Sequence, residues 1–164
     1  SPLKLLQLLL LLNLLLLSAC AAAPKFDLSA GEIAAGEGLT LHMPASDLPA
    51  PWTAEEEPGK WEAALTYAGI AFDASARADE EGTLKQVTLS AADDGSWAQA
   101  DVDALVQALN ADYGIELVKT YDKGDFLTYA FRRNRHSVQV DLRAGRSLSF
   151  RIYYLPEMPG YEWV

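Results

Sequence analysis

Apolar residues recur along this chain with two periods, and the periods divide it into elements. Ile70, Phe72, Ala74 and Ala76 alternate with mostly polar positions, the pattern of a strand with one buried face. Asp79-Glu80-Glu81-Gly82 reads as a turn, and Leu84 to Leu89 reads as the returning strand, with Val87 and Leu89 on one face. After Asp93-Asp94-Gly95 the period changes. Val102, Leu105, Val106 and Leu109 form one stripe at helical spacing. Ser96 and Gln99 fit a capping box at its start, with Asp101 and Asp103 suited to the positive end of the helix dipole. Gly114 is placed to end the helix near Tyr113.

The alternation then returns as a meander with strands at 115–122, 126–133, 136–143 and 147–155. Its turns are Asp122-Lys123-Gly124-Asp125, Asn134-Arg135 and Ala144-Gly145-Arg146. The turn lengths fix a register. Two residues at Asn134-Arg135 set Phe131 opposite Val138, Tyr129 opposite Val140 and Leu127 opposite Leu142. Three residues at 144–146 set Leu142 opposite Leu148, Val140 opposite Phe150 and Val138 opposite Ile152. A slip of one residue in either turn would send these side chains to opposite faces. The expected fold is α+β: an antiparallel meander in the order ββαββββ, with one helix on the apolar face. Thr128, Ala130, Arg132, Gln139, Asp141, Arg143, Ser149, Arg151 and Tyr153 alternate the other way, and are expected to face solvent or a partner.

The first twenty residues differ from all this. Leu5 to Leu17 is interrupted only by Gln7 and Asn13, follows Lys4, and leads into Leu17-Ser18-Ala19-Cys20. A positive start, a short apolar run and small residues form the layout of a secretory signal. The last four residues resemble the lipobox of bacterial lipoproteins: an apolar residue, two small residues, then the cysteine that is lipidated and becomes the new N-terminus. The resemblance covers the chain up to Cys20 and nothing beyond. It implies a signal peptide over 1–19 and acylation at Cys20. In that family the residue after the cysteine influences sorting, and Ala21 is not the aspartate of inner-membrane retention. The resemblance thus implies the periplasmic face of the outer membrane. A short uncleaved anchor helix is the alternative.

Residues 20–60 are expected to be a flexible, lipid-anchored tether. They are rich in Ala, Gly, Pro and Glu, and Pro44, Pro49, Pro51 and Pro58 forbid long regular elements. Trp52 and Trp61 are expected to dock the end of the tether onto a domain spanning 61–164. No second cysteine exists, so no intrachain disulfide forms.

The formal net charge is −10, which argues against nucleic acid as a partner because phosphate contacts need clustered cations. The charge is uneven: 17 acids and 5 bases up to Asp112, then 6 acids and 8 bases. Arg132, Arg143 and Arg151 on the outward face, with Tyr153, Tyr161 and Trp163, form a candidate surface for an envelope protein partner. The plain alternative is a solvated sheet face, with the aromatic tail folded back on its own domain.

Catalytic chemistry is not expected. His42 and His136 are the two histidines, and neither has a second ligand at metal spacing. No Gly-x-Ser-x-Gly elbow, phosphate-binding glycine loop or calcium loop occurs. No metal or cofactor is expected. The reading is a non-enzymatic, membrane-tethered binding or accessory protein. An acidic inhibitor or immunity protein that neutralises a cationic toxin or lysozyme is the alternative.

Overall fold

A computed structural model of the chain describes residues 1–19, 23–93 and 95–156. Cys20, Tyr161 and Trp163 lie outside the described residues. The described elements are α1 (Pro2–Ala19), β1 (Thr53–Ala54), β2 (Lys60–Tyr67), β3 (Ile70–Ala78), β4 (Leu84–Ala91), α2 (Gln99–Tyr113), β5 (Val118–Lys123), β6 (Phe126–Arg133), β7 (His136–Arg143) and β8 (Ser147–Tyr154). The strands form one antiparallel sheet in the order β1-β2-β3-β4-β8-β7-β6-β5. The fold is α+β with a core built mostly on the sheet.

The expected register of the second meander is observed pair for pair. Phe131 faces Val138, Tyr129 faces Val140 and Leu127 faces Leu142. On the other side Leu142 faces Leu148, Val140 faces Phe150 and Val138 faces Ile152. Asn134 and Arg135 both have positive φ, 50° and 62°, as a two-residue hairpin turn with the right-handed strand twist requires. The two meanders join where β4 lies beside β8, with Val87 opposite Ile152 and Leu89 opposite Phe150. Phe72, Leu89, Phe150 and Ile152 are all buried there, and the Phe72 ring meets Phe150 edge to face at 5.3 Å. The stripe of α2 closes over this inner face with Val102, Leu105, Val106 and Leu109 buried.

Four features differ from the sequence expectation. First, the strand order is not ββαββββ, because β1 and β2 precede it. In β2 the side chains of Trp61, Ala63, Leu65 and Tyr67 alternate inward and pack on the core. Proline density up to Pro58 obscured that alternation.

Second, residues 26–52 do not read as a flexible tether. Leu28, Ile33, Leu39, Leu41, Ala45 and Trp52 are buried in the same core as the sheet. The segment has little regular structure because prolines and glycines divide it. It docks through scattered apolar residues and backbone bonds to the sheet, such as His42 N–H to Leu84 O (2.7 Å) and Leu84 N–H to Met43 O (2.9 Å).

Third, Ser96 and Gln99 do not cap α2. Ala98 is the N-cap, and Asp101 Oδ2 accepts from its backbone N–H at 2.8 Å. The residues ahead are held elsewhere: Trp97 Nε1 donates to Asp93 O at 2.6 Å, and Trp97 O accepts from Gly145 at 2.8 Å.

Fourth, β5 starts at Val118 rather than Ile115. Asn110, in the last turn of α2, takes Ile115 N–H on its carbonyl at 3.1 Å and Leu117 N–H on its side-chain oxygen at 2.8 Å. Those bonds turn 115–117 back under the helix.

The leucine helix α1 stands apart from this core. Leu3, Leu5, Leu6 and Leu8 to Leu12 are each 51–67% exposed. Among the described residues no helix is long and apolar enough to cross a membrane.

Candidate functional site

The outer face of the sheet carries the polar residues that alternate against the core. Cross-strand pairing sorts them into rungs. One rung is Arg132, Ser137, Tyr153 and Gln86; the next is Ala130, Gln139, Arg151 and Thr88; the third is Thr128, Asp141, Ser149 and Ser90. Hydrogen bonds run both within and between the rungs. Thr128 Oγ1 donates to Asp141 Oδ1 at 2.7 Å, and Gln139 Nε2 donates to the same carboxylate at 3.1 and 3.2 Å. Arg151 donates to Gln139 Oε1 at 3.0 Å and lies 4.6 Å from the centre of the Tyr153 ring. Gln139 thus links an anion on one side to a cation on the other, which fixes the orientation of its amide.

The predicted partner residues divide. Arg132, Arg151 and Tyr153 gather around Ser137 and Gln139. Arg143 does not join them: it lies on the far side of the Asp141 rung, opposite Phe126, with its guanidinium 5.3 Å from that ring. The register separates the three arginines that sequence grouped as one patch. Thr128 and Tyr153 were also expected at the surface, yet both are buried on this face, together with Ser137. The bond from Thr128 to Asp141 and the stacking of Arg151 on Tyr153 account for part of that cover. Ser137 Oγ and Arg151 Nε are buried without a hydrogen-bond partner.

The other half of the same face holds an acidic trough. Glu55, Glu62 and Asp73 line an open trough of about 740 Å³ floored by small residues, among them Ala64, Ser75 and Ser90. The outer face thus carries Glu55, Glu62 and Asp73 over β1 to β3, with Lys60 and Arg77 farther along the same face of β2 and β3, and Arg132 and Arg151 beside Asp141 over β6 to β8.

A second cluster went unseen in the sequence. His42 and His136, 94 residues apart, meet with Nε2 to Nε2 at 2.7 Å. Segment 26–52 delivers His42, with backbone φ at +79°, and the start of β7 delivers His136. The Tyr154 ring of β8 closes the cluster, 4.5 Å from the His42 ring and 5.2 Å from the His136 ring. Lys85 Nζ lies 3.3 Å from His42 Nδ1 and 5.0 Å from the Tyr154 ring centre, and Asp79 stands 3.7 Å from the same ammonium. Gly31 makes the close approach possible: a β-carbon there would meet Leu41 Cβ at 3.0 Å and the His136 ring at 3.2 Å.

Burial holds both imidazoles below their ordinary pKa of 6.5, and Lys85 pushes the same way. The only local hint in sequence was a lone histidine beside each of two turn-rich segments. The pairing itself depends on how those segments dock. Among the described residues no group of three or more His, Cys, Asp or Glu side chains could hold a metal ion. Set against known proteins, the chain matches no family model, no curated protein and no solved structure.

Proposed function

We propose that this chain is a lipid-anchored binding or accessory protein of the bacterial envelope, tethered through Cys20 and working without catalysis. The observation that carries the reading is α1. Its eight outward leucines find no cover on the domain, being each 51–67% exposed. Fully burying a leucine is worth roughly 1.5–3 kcal/mol, so the set favours leaving water by on the order of 10 kcal/mol. Secretion machinery and bilayer offer that cover, and the small residues leading to Cys20 supply the processing and acylation site. The domain after it has a polar, hydrogen-bonded face suited to a protein partner, with Arg132, Arg151 and Tyr153 at its centre.

A specific observation supports the inhibitor reading as well. The Glu55, Glu62 and Asp73 trough on a chain of net charge −10 would complement a cationic enzyme, with a salt-sensitive association rate.

Crosslinked pull-down of the full chain from bacterial membranes, with mass spectrometry of the N-terminal peptide and of bound proteins, tests both. The expected result is an acylated N-terminal cysteine peptide in the membrane fraction, and its loss with release of a folded protein in Cys20→Ser. An unmodified Cys20 in a membrane-bound chain refutes lipidation and leaves the anchor helix. A basic enzyme bound in low salt only selects the inhibitor reading.

A further inference from the structure

The geometry points to an acid-operated latch: the His42–His136 pair clamps residues 26–52 onto the end of the sheet, and proton uptake by the pair opens that clamp.

The hydrogens can be assigned from the neighbours. Lys85 has only N–H groups to offer, so His42 Nδ1, 3.3 Å from its Nζ, accepts. A neutral His42 then carries its proton on Nε2 and donates it across 2.7 Å to His136 Nε2. His136 in turn carries its own proton on Nδ1, which is buried and makes no hydrogen bond of proper geometry. The bonds run in one direction: Lys85 to His42 to His136. Each imidazole is neutral and each has its lone pair occupied.

No site remains for an extra proton. On His42 it would enter at Nδ1, against the Lys85 ammonium. On His136 it would enter at Nε2, facing the Nε2–H of His42 at hydrogen-bond distance. Either event breaks a link, and both together set three cations around the Tyr154 ring. The other charged groups that face the cluster do not reverse this. Asp79, from the turn between β3 and β4, and Asp27, ahead of the short turn Leu28–Ala30, favour the protonated imidazoles, as does the backbone of Arg133 and Asn134 beside His136. Burial is the larger influence on each ring, and Lys85 adds to it.

The latch acts on one segment. His42 belongs to residues 26–52, which carry the chain from the leucine helix to the sheet. Its left-handed backbone, at φ +79°, costs roughly 1–2 kcal/mol for a residue with a side chain, so it stays in place only while its contacts hold. Loss of the imidazole bond removes one contact and adds repulsion at the same point. Segment 26–52, poor in regular structure, is the part expected to open first.

The chemistry gives a clean window. These are the chain's two histidines, and ordinary carboxylates titrate near pH 4. Between pH 7.5 and 5.5 the unfolded chain takes up protons on both rings at the ordinary 6.5, while the folded chain resists. The unfolded state therefore binds more protons, and stability falls as pH falls. Two fully resisting rings would raise the unfolding equilibrium constant up to about a hundredfold across that window.

The test is urea unfolding of the full chain at pH 7.5 and 5.5, for wild type and for His42→Asn/His136→Gln, alongside imidazole NMR and amide exchange of the wild type. The expected result is a rise of tenfold or more in the wild-type unfolding constant and little change in the variant. Both rings should titrate below 6.5, and acid-enhanced exchange should be concentrated in residues 26–45. Equal pH dependence in wild type and variant overturns the latch, as do imidazoles that titrate at the ordinary value. If the variant does not fold, the wild-type NMR titration and exchange pattern decide alone.

Discussion

Replacing Tyr113 by phenylalanine removes one oxygen and leaves the ring in place, so it isolates what holds the first third of segment 26–52 to the domain. Tyr113 closes α2 and is 2% exposed. Its hydroxyl donates to Glu32 O at 2.7 Å and accepts from Ala34 N–H at 2.9 Å. One side chain thus satisfies both a donor and an acceptor of a segment with little regular structure. Burial pushes the phenol well above its usual range, so it stays protonated and can fill both roles. In Tyr113→Phe both backbone groups lose their partner, Ala34 N–H in a buried position and Glu32 O in a half-buried one. A buried polar group left without its hydrogen bond costs roughly 1–3 kcal/mol. The expected loss is about 2–4 kcal/mol, a large fraction of the ~5–15 kcal/mol typical of a domain. Urea unfolding measures it, and amide exchange locates it. Protection at Ala34 and its neighbours should fall before protection in β7 and β8. A change below ~0.5 kcal/mol with unaltered exchange at Ile33 and Ala34 would show that the segment is not held as described, and the tether reading would return.

Two further substitutions probe the sheet. Phe150 is 1% exposed between Tyr67 and Phe72, at ring distances of 5.4 and 5.3 Å. Phe150→Ala should cost about 3–5 kcal/mol, read as a lowered thermal midpoint by circular dichroism, and a loss under ~1 kcal/mol would mean the junction of β4 and β8 is not the centre of the core. Arg135 sits at φ 62° in the β6–β7 turn, where glycine carries no β-carbon penalty. Arg135→Gly should raise stability by about 0.5–1 kcal/mol after allowing for the greater freedom of glycine in the unfolded chain. A destabilised variant would indicate that the arginine side chain, rather than the turn backbone, matters there.

Much of the fold was legible in sequence because its signals are local. The alternation from Phe126 to Ile152, with turns of two and three residues between the last three strands, fixes both the register and the buried face. The α2 stripe and the glycine after it are likewise local. The candidate site was less legible. Arg132 and Arg151 fall on adjacent rungs as their spacing predicts, but Arg143 has the same inward–outward parity and a different rung. Parity assigns a face, and only the full register assigns neighbours.

By itself the sequence determined the leucine run that ends at Cys20, the acidic balance, the helix and the six strands from Ile70 onward. Each follows from composition or from a period that one stretch of chain carries alone. Tertiary structure decided what depends on distant residues meeting. It set β4 beside β8, drew residues 26–52 into the core on scattered apolar side chains, and gathered Glu55, Glu62 and Asp73 along one trough of the outer face. It also brought together His42 and His136, whose meaning lies in a 2.7 Å contact across 94 residues. A hydrogen bond between segments with no shared period leaves no trace in the spacing of either one.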